Sequence, residues 1–239
     1  MKLFDLDSPL MRMLSRVADL LLLNLLAAIC CIPIITAGAS FTALHYMSLK
    51  LARNEECYIV RGFFKSFRQN FKQATVIWLI FLLVLAVLAG DFYIMGQIES
   101  FNTVVKVIIT IVAILVLFTG TFVFPVLAKF DNTIPRTIKN AFVISILQFP
   151  KTILMFILNW LPWILLVLVI QIVPLCLLFG LSAPAYASAF LYNKFFKKLE
   201  VQIEEHNSED APKAEEPADD ERIFRDELDE TISINENHR

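Results

Sequence analysis

Residues able to carry chemistry are few in this chain, and their spacing sets up no reaction. Of its four cysteines, Cys30 and Cys31 sit side by side in an apolar run. Cys57 and Cys176 lie far apart and no C-x-x-C occurs, so neither a disulfide framework nor a zinc site is indicated. His45, His206 and His238 are too few and too scattered for a metal centre. No P-loop, G-x-S-x-G, H-E-x-x-H or EF-hand pattern is present. Paired acids, acid-base pairs and basic clusters are also missing from the apolar stretches, where ionisable groups would mark a transport path. The expectation is a non-enzyme with no catalytic residue, cofactor or metal, and one that does not couple transport to protons. Asp19 and Asp91 fall at the ends of apolar runs, where water reaches a carboxylate. Asn24, Asn159 and Gln171 are uncharged and read as interhelical hydrogen-bonding residues. The stretch from Asn159 to Trp163 puts Pro162 between two tryptophans, which gives either a helix bend with lipid-facing rings or the wall of a cavity.

The elements that hold these residues are membrane helices. A chain that is 57% hydrophobic and 18% charged, with a mean hydropathy of +0.66, does not suit a soluble globule. Residues 1–199 hold 17 Lys+Arg against 8 Asp+Glu, whereas residues 200–239 hold 4 against 15. The near-neutral total therefore hides a basic membrane body and an acidic tail. The bilayer is the expected partner surface, and nucleic acid is not.

About 20 apolar residues cross roughly 30 Å of hydrocarbon, and four charge-poor regions qualify. They run from Leu20 to Leu49, from Gln73 to Gly90, from Val107 to Ala128, and from Thr152 to Asn193. The last is about twice the bilayer as one helix, so it must be a hairpin, with its turn expected between Pro174 and Pro184. Pro33 and Gly38 interrupt the first region. It is either a bent two-arm element with the N-terminus inside or a single span with the N-terminus outside. Ala37-Gly38-Ala39 imitates a signal-peptide cleavage site, but the apolar run before it is longer than a signal peptide's, and a retained anchor is expected. The sum is an all-α polytopic bundle with five clear spans, or six membrane segments if the N-terminal element returns. The segments Lys50 to Lys72, Lys129 to Lys151 and Lys194 to Lys198 are basic, which assigns them and the C-terminus to the cytoplasm.

Two amphipathic helices are expected on that side. Phe63, Phe64, Phe67 and Phe71 share a helical face, with Lys65, Arg68 and Lys72 on the adjoining one. That helix should run into the second span unbroken. The other starts at Asn132 or Thr133 with Pro135 in its first turn, and carries Arg136, Ile138, Lys139, Phe142 and Ile146. Ser66, Gln69 and Lys72 match Ser145, Gln148 and Lys151 at one offset, hinting at a duplicated unit of amphipathic helix plus hairpin. Lys65, Arg68, Lys72, Arg136 and Lys139 are the candidate lipid- or partner-docking residues of the body. The boundary is placed at 199/200. Residues 200–239 read as an acidic tether with a short helix over 219–232, whose Phe224, Leu228 and Ile232 could dock on a partner.

The run Ile32-Pro33-Ile34-Ile35-Thr36-Ala37-Gly38-Ala39-Ser40, then Thr42-Ala43-Leu44-His45-Tyr46, then Phe63 through Ala74, resembles the YesL-like family of bacterial membrane proteins. That family is of uncharacterised function, and its members are small integral membrane proteins often encoded near carbohydrate ABC importers and sugar-responsive regulators. The resemblance covers residues 1–199 and implies an accessory or assembly partner of a carbohydrate ABC uptake system, with importer subunits or another membrane protein as partners. The alternative is a small-solute permease, which should show a polar cavity at mid-membrane. The inside assignment is checked by single cysteines in a chain lacking the native four. Arg68→Cys and Lys139→Cys should react with an impermeant thiol reagent only after permeabilisation, and labelling from outside intact cells would overturn it.

Overall fold

The computed structural model describes residues 9–98 and 102–209, and among them every regular element is helical. Eight α-helices follow in order: α1 (Pro9–Cys31), α2 (Ala37–Ala52), α3 (Ile59–Gln97), α4 (Thr103–Lys129), α5 (Ile134–Leu147), α6 (Phe149–Leu168), α7 (Val173–Phe179) and α8 (Ser182–Glu209). Four of them, α1, α3, α4 and α6, are long and apolar enough to cross a membrane, and the bent pair α7–α8 makes five.

The N-terminal region is two arms. Pro33 lacks an N–H and holds extended backbone at φ −75° and ψ 118°, which ends α1. The Thr36 hydroxyl bonds back to the Cys30 carbonyl at 2.6 Å and to that of Pro33 at 2.9 Å, meeting acceptors that the break exposes. Ser40 donates to Ala27 O at 2.9 Å, and Arg16 donates to Leu51 O at 3.0 Å and to Asn54 Oδ1 at 2.7 Å. Residues early in α1 thus meet the end of α2, and the arms run antiparallel. α2 packs against α1, α3 and α4 and buries 13 of its 16 residues, which makes it the centre of the bundle. Its small residues Ala37, Gly38, Ala39, Ser40 and Ala43 permit that closeness. The sequence reading has Gly38 interrupt the run; instead it lies inside α2, where an added Cβ would fall 2.6 Å from Ala74 O. The Ala37-Gly38-Ala39 triplet is buried in this contact.

α3 runs for 39 residues without a break, as the absence of Gly and Pro between Phe63 and Ala89 predicts. α4 begins on an Asn102 cap, whose side chain accepts from Val104 N at 2.8 Å, and carries Pro125 internally. Thr133 occupies the N-cap position of α5 with no side-chain cap bond. α5 and α6 are separated at Gln148 because Pro150 supplies no N–H to the preceding turn. There the Thr152 hydroxyl bonds to the carbonyls of Ser145 at 2.8 Å and Gln148 at 3.0 Å. The proposed duplication therefore differs at its centre, since the first copy is one continuous helix and the second is broken.

The long apolar run turns earlier than expected. α6 stops at Leu168, a 3-10 turn covers Ile170–Ile172, and α7 starts before Pro174. A second break at Gly180 and Leu181, inside the expected window, bends α7 against α8 by 52°. The Cys176 thiol donates to Pro162 O at 3.4 Å, which lays α7 back along α6. Asn24, only 2% exposed on α1, seals the second break. Its Nδ2 donates to Leu177 O at 2.8 Å, while its Oδ1 accepts from Leu181 N at 2.9 Å and Ser182 N at 3.0 Å. The interhelical role expected of Asn24 is thus met by backbone rather than by another side chain.

α8 continues to Glu209, so the acidic tether does not begin at Glu200; the first acids of the tail ride on the last turns of a membrane helix. The chain divides into units at 194/195. Of the second, only the part through Glu209 is described, and the 219–232 segment with Phe224, Leu228 and Ile232 lies outside the described residues. Asn24→Leu should lower stability by about 2–4 kcal/mol, because two backbone N–H groups and one carbonyl lose their partner where water cannot replace it. Unfolding of the detergent-solubilised protein checks this.

Candidate functional site

Arg61, Lys65, Arg68 and Lys72 recur at intervals of four, three and four residues on α3, which confines them to an arc of about 60°. All four are exposed. On the opposite side Phe63, Ser66, Ala74 and Ile77 are buried. Phe67 and Phe71 are half-buried and stack along the chain with Phe63, at centroid distances of 6.2 and 5.6 Å. Phe64 departs from the expected face. It lies roughly 120° from the centre of the buried stripe and is 39% exposed.

Arg136 and Lys139 on α5 are exposed too, but α5 buries Thr137, Ala141, Ile144 and Ser145. Phe142 and Ile146 therefore face outward. The structure does not unite the five basic candidates. Arg68 and Lys72 border a surface cleft with Lys129 and Asp131 at the end of α4, which the Gln73 side chain spans by donating to Asn132 O at 3.3 Å. Lys139 instead lies along an apolar groove formed by α3, α4 and α5, where its methylene stem can cover hydrocarbon surface.

A different site was hidden from sequence. α2, α3, α4, α6 and the start of α8 border a half-open cavity of about 490 Å³. Its aromatic wall includes Trp78, Trp160 and Trp163, the protein's three tryptophans. Phe41, Trp78 and Phe124 contact one another at centroid distances of 5.6 to 6.0 Å. The Trp78 indole is fixed by donating to Ile34 O at 2.7 Å. Phe156 meets Trp160 at 5.9 Å. Gly120 lets the Phe81 ring pack directly on the α4 backbone, since a Cβ there would collide with that ring.

Three polar residues line this space: His45, Thr121 and Asn159. His45 is 8% exposed and its Nδ1 has no hydrogen-bond partner. Pro125 lacks the N–H that would reach Thr121 O, so that carbonyl loses its helical donor. Among the described residues no Asp, Glu, Lys or Arg lines the cavity. Asn159 lies eight residues past Lys151, Gly120 nine before Lys129 and Ala185 nine before Lys194. Each separation is about 12–14 Å of helix, close to the middle of a layer roughly 30 Å thick. Of the two readings of the Asn159–Trp163 stretch the cavity wall is seen, because Trp160 and Trp163 border the cavity; both are also 48% and 51% exposed, and α6 runs through Pro162 as one helix.

A family model described as "Protein of unknown function, DUF624" matches residues 20–92. The matched segment spans most of α1, all of α2 and most of α3, which is the packed centre of the bundle, and it is compatible with the family resemblance drawn from the same residues. No curated protein and no solved structure matches the chain.

The position of the tryptophans can be read by lipid quenching. In single-tryptophan variants, lipids brominated along the acyl chain should quench Trp160 and Trp163 more strongly than the more enclosed Trp78.

Proposed function

We propose that this chain is a non-enzymatic, multi-pass protein of the cell membrane that serves as an accessory or assembly partner of a carbohydrate ABC uptake system. Six membrane segments, with the α1–α2 arm returning and both ends on the cytoplasmic side, give the arrangement most consistent with the basic loops. The observation that carries the reading is the exposed stripe Arg61, Lys65, Arg68 and Lys72, set on a helix whose far side is buried in the bundle. A cationic ridge continuous with a rigid membrane helix can hold an acidic partner surface or anionic headgroups at a fixed distance from the bilayer. The YesL-like resemblance supplies the importer as partner, and the lack of charged groups around the mid-depth cavity among the described residues disfavours ion-coupled transport.

Crosslinking and affinity purification from native membranes test this. The chain should be recovered with importer subunits. The triple variant Lys65→Glu, Arg68→Glu, Lys72→Glu should lose most of that recovery while keeping its thermal stability. Recovery with lipid alone, or unchanged recovery in the variant, would sink the proposal.

A second reading, a small-solute permease, draws on the cavity at mid-depth. Saturable solute uptake into liposomes containing only this protein would favour it.

A further inference from the structure

We infer that the cavity between α2, α3, α4 and α6 is a binding site for an uncharged, ring-bearing small molecule that carries a hydroxyl group. The inference is independent of the partner reading above. Its volume, about 490 Å³, falls within the range of small-molecule sites. Its chemistry narrows the occupant. With no charged side chain on the wall among the described residues, an ionic ligand would be desolvated without a counter-charge. Rings from three tryptophans and several phenylalanines present flat faces and edges that suit a flat or ring-shaped body.

His45 supplies the polar requirement. It is more than nine-tenths buried, lines the cavity, and its Nδ1 lacks a partner. That nitrogen is sealed within the packing, so an occupant meets the ring through its other nitrogen, where a polar atom left without a partner would be costly. Either neutral tautomer of imidazole offers one donor and one acceptor. A hydroxyl both donates and accepts, and can therefore meet whichever nitrogen is presented. Thr121 O, released by Pro125, and the Asn159 amide add neutral groups on the same wall. The half-exposed Trp160 and Trp163 form the rim through which a ligand would pass from the bilayer side.

Because all three tryptophans line the cavity, intrinsic fluorescence reports its occupancy. The full chain in phosphatidylcholine nanodiscs is titrated with three nitroaromatic quenchers of similar size: 4-nitrobenzyl alcohol, 4-nitrotoluene and 4-nitrobenzoate. The alcohol should quench saturably, with half-saturation about five- to tenfold below that of nitrotoluene after correction for partitioning, the worth of one hydrogen bond. The carboxylate should show no saturable component, and non-quenching benzyl alcohol should reverse the effect of its nitro analogue. His45→Phe should keep nitrotoluene binding and lose the preference for the alcohol, and His45→Gln should restore part of it. Thr121→Phe, which enlarges a side chain on the wall, should remove saturation for both neutral probes. Linear quenching by all three probes in the unaltered protein would overturn the site. A preference unchanged in His45→Phe would overturn the role of His45 and with it the hydroxyl assignment. The unaltered protein decides the first point even if a variant fails to fold.

Discussion

A backbone break inside an apolar helix can persist in a membrane only if its N–H and C=O groups find partners within the protein. Asn24 provides three of them at once at the bend between α7 and α8. A carboxamide suits the place because it carries donor and acceptor side by side without a charge to desolvate. The consequence reaches beyond the bend. α1 is tied to the α7–α8 bend by Asn24 and to the end of α2 by Arg16, and α2 and α8 also meet directly where Arg53 donates to Asn193 Oδ1 at 2.8 Å, so the N-terminal arm reinforces a contact that the two already make. Gly180 and Leu181, at the bend itself, line the cavity, which ties that arm to the shape of the site.

The cavity has a second cause in the uneven size of the packed residues. Around α2, alanine, glycine and serine let α1, α3 and α4 approach closely, as the Gly38 contact with Ala74 shows. Next to this dense centre stand bulky rings from α2, α3, α4 and α6, and they meet edge to face or tilted. Helices held close at one level by small residues cannot close further at a level where Trp and Phe project. The space left is bounded by rings, one of which, Phe81, packs where Gly120 has no side chain. The family match at residues 20–92 covers the dense centre and Trp78, so the part of the wall made by α2 and α3 belongs to the matched segment, whereas the α4 and α6 walls lie outside it.

Composition and charge alone determined that this chain is an all-helical membrane bundle, since a 42-residue run without charge and basic clusters between apolar segments admit few other folds. Helical periodicity gave the faces of α3 correctly except at Phe64. Burial falls off with angle from the packed stripe, and a four-residue listing of rings does not locate the stripe's centre. Tertiary structure decided what depends on partners distant in sequence. The role of Gly38 depends on Ala74, the early turn at Leu168 on α7 folding back along α6, and the meaning of Asn24 on a bend more than 150 residues away. His45 was legible only as a lone histidine. It became part of a site because α2, α3, α4 and α6 set aromatic rings around the cavity that it lines, and no local pattern encodes that coincidence.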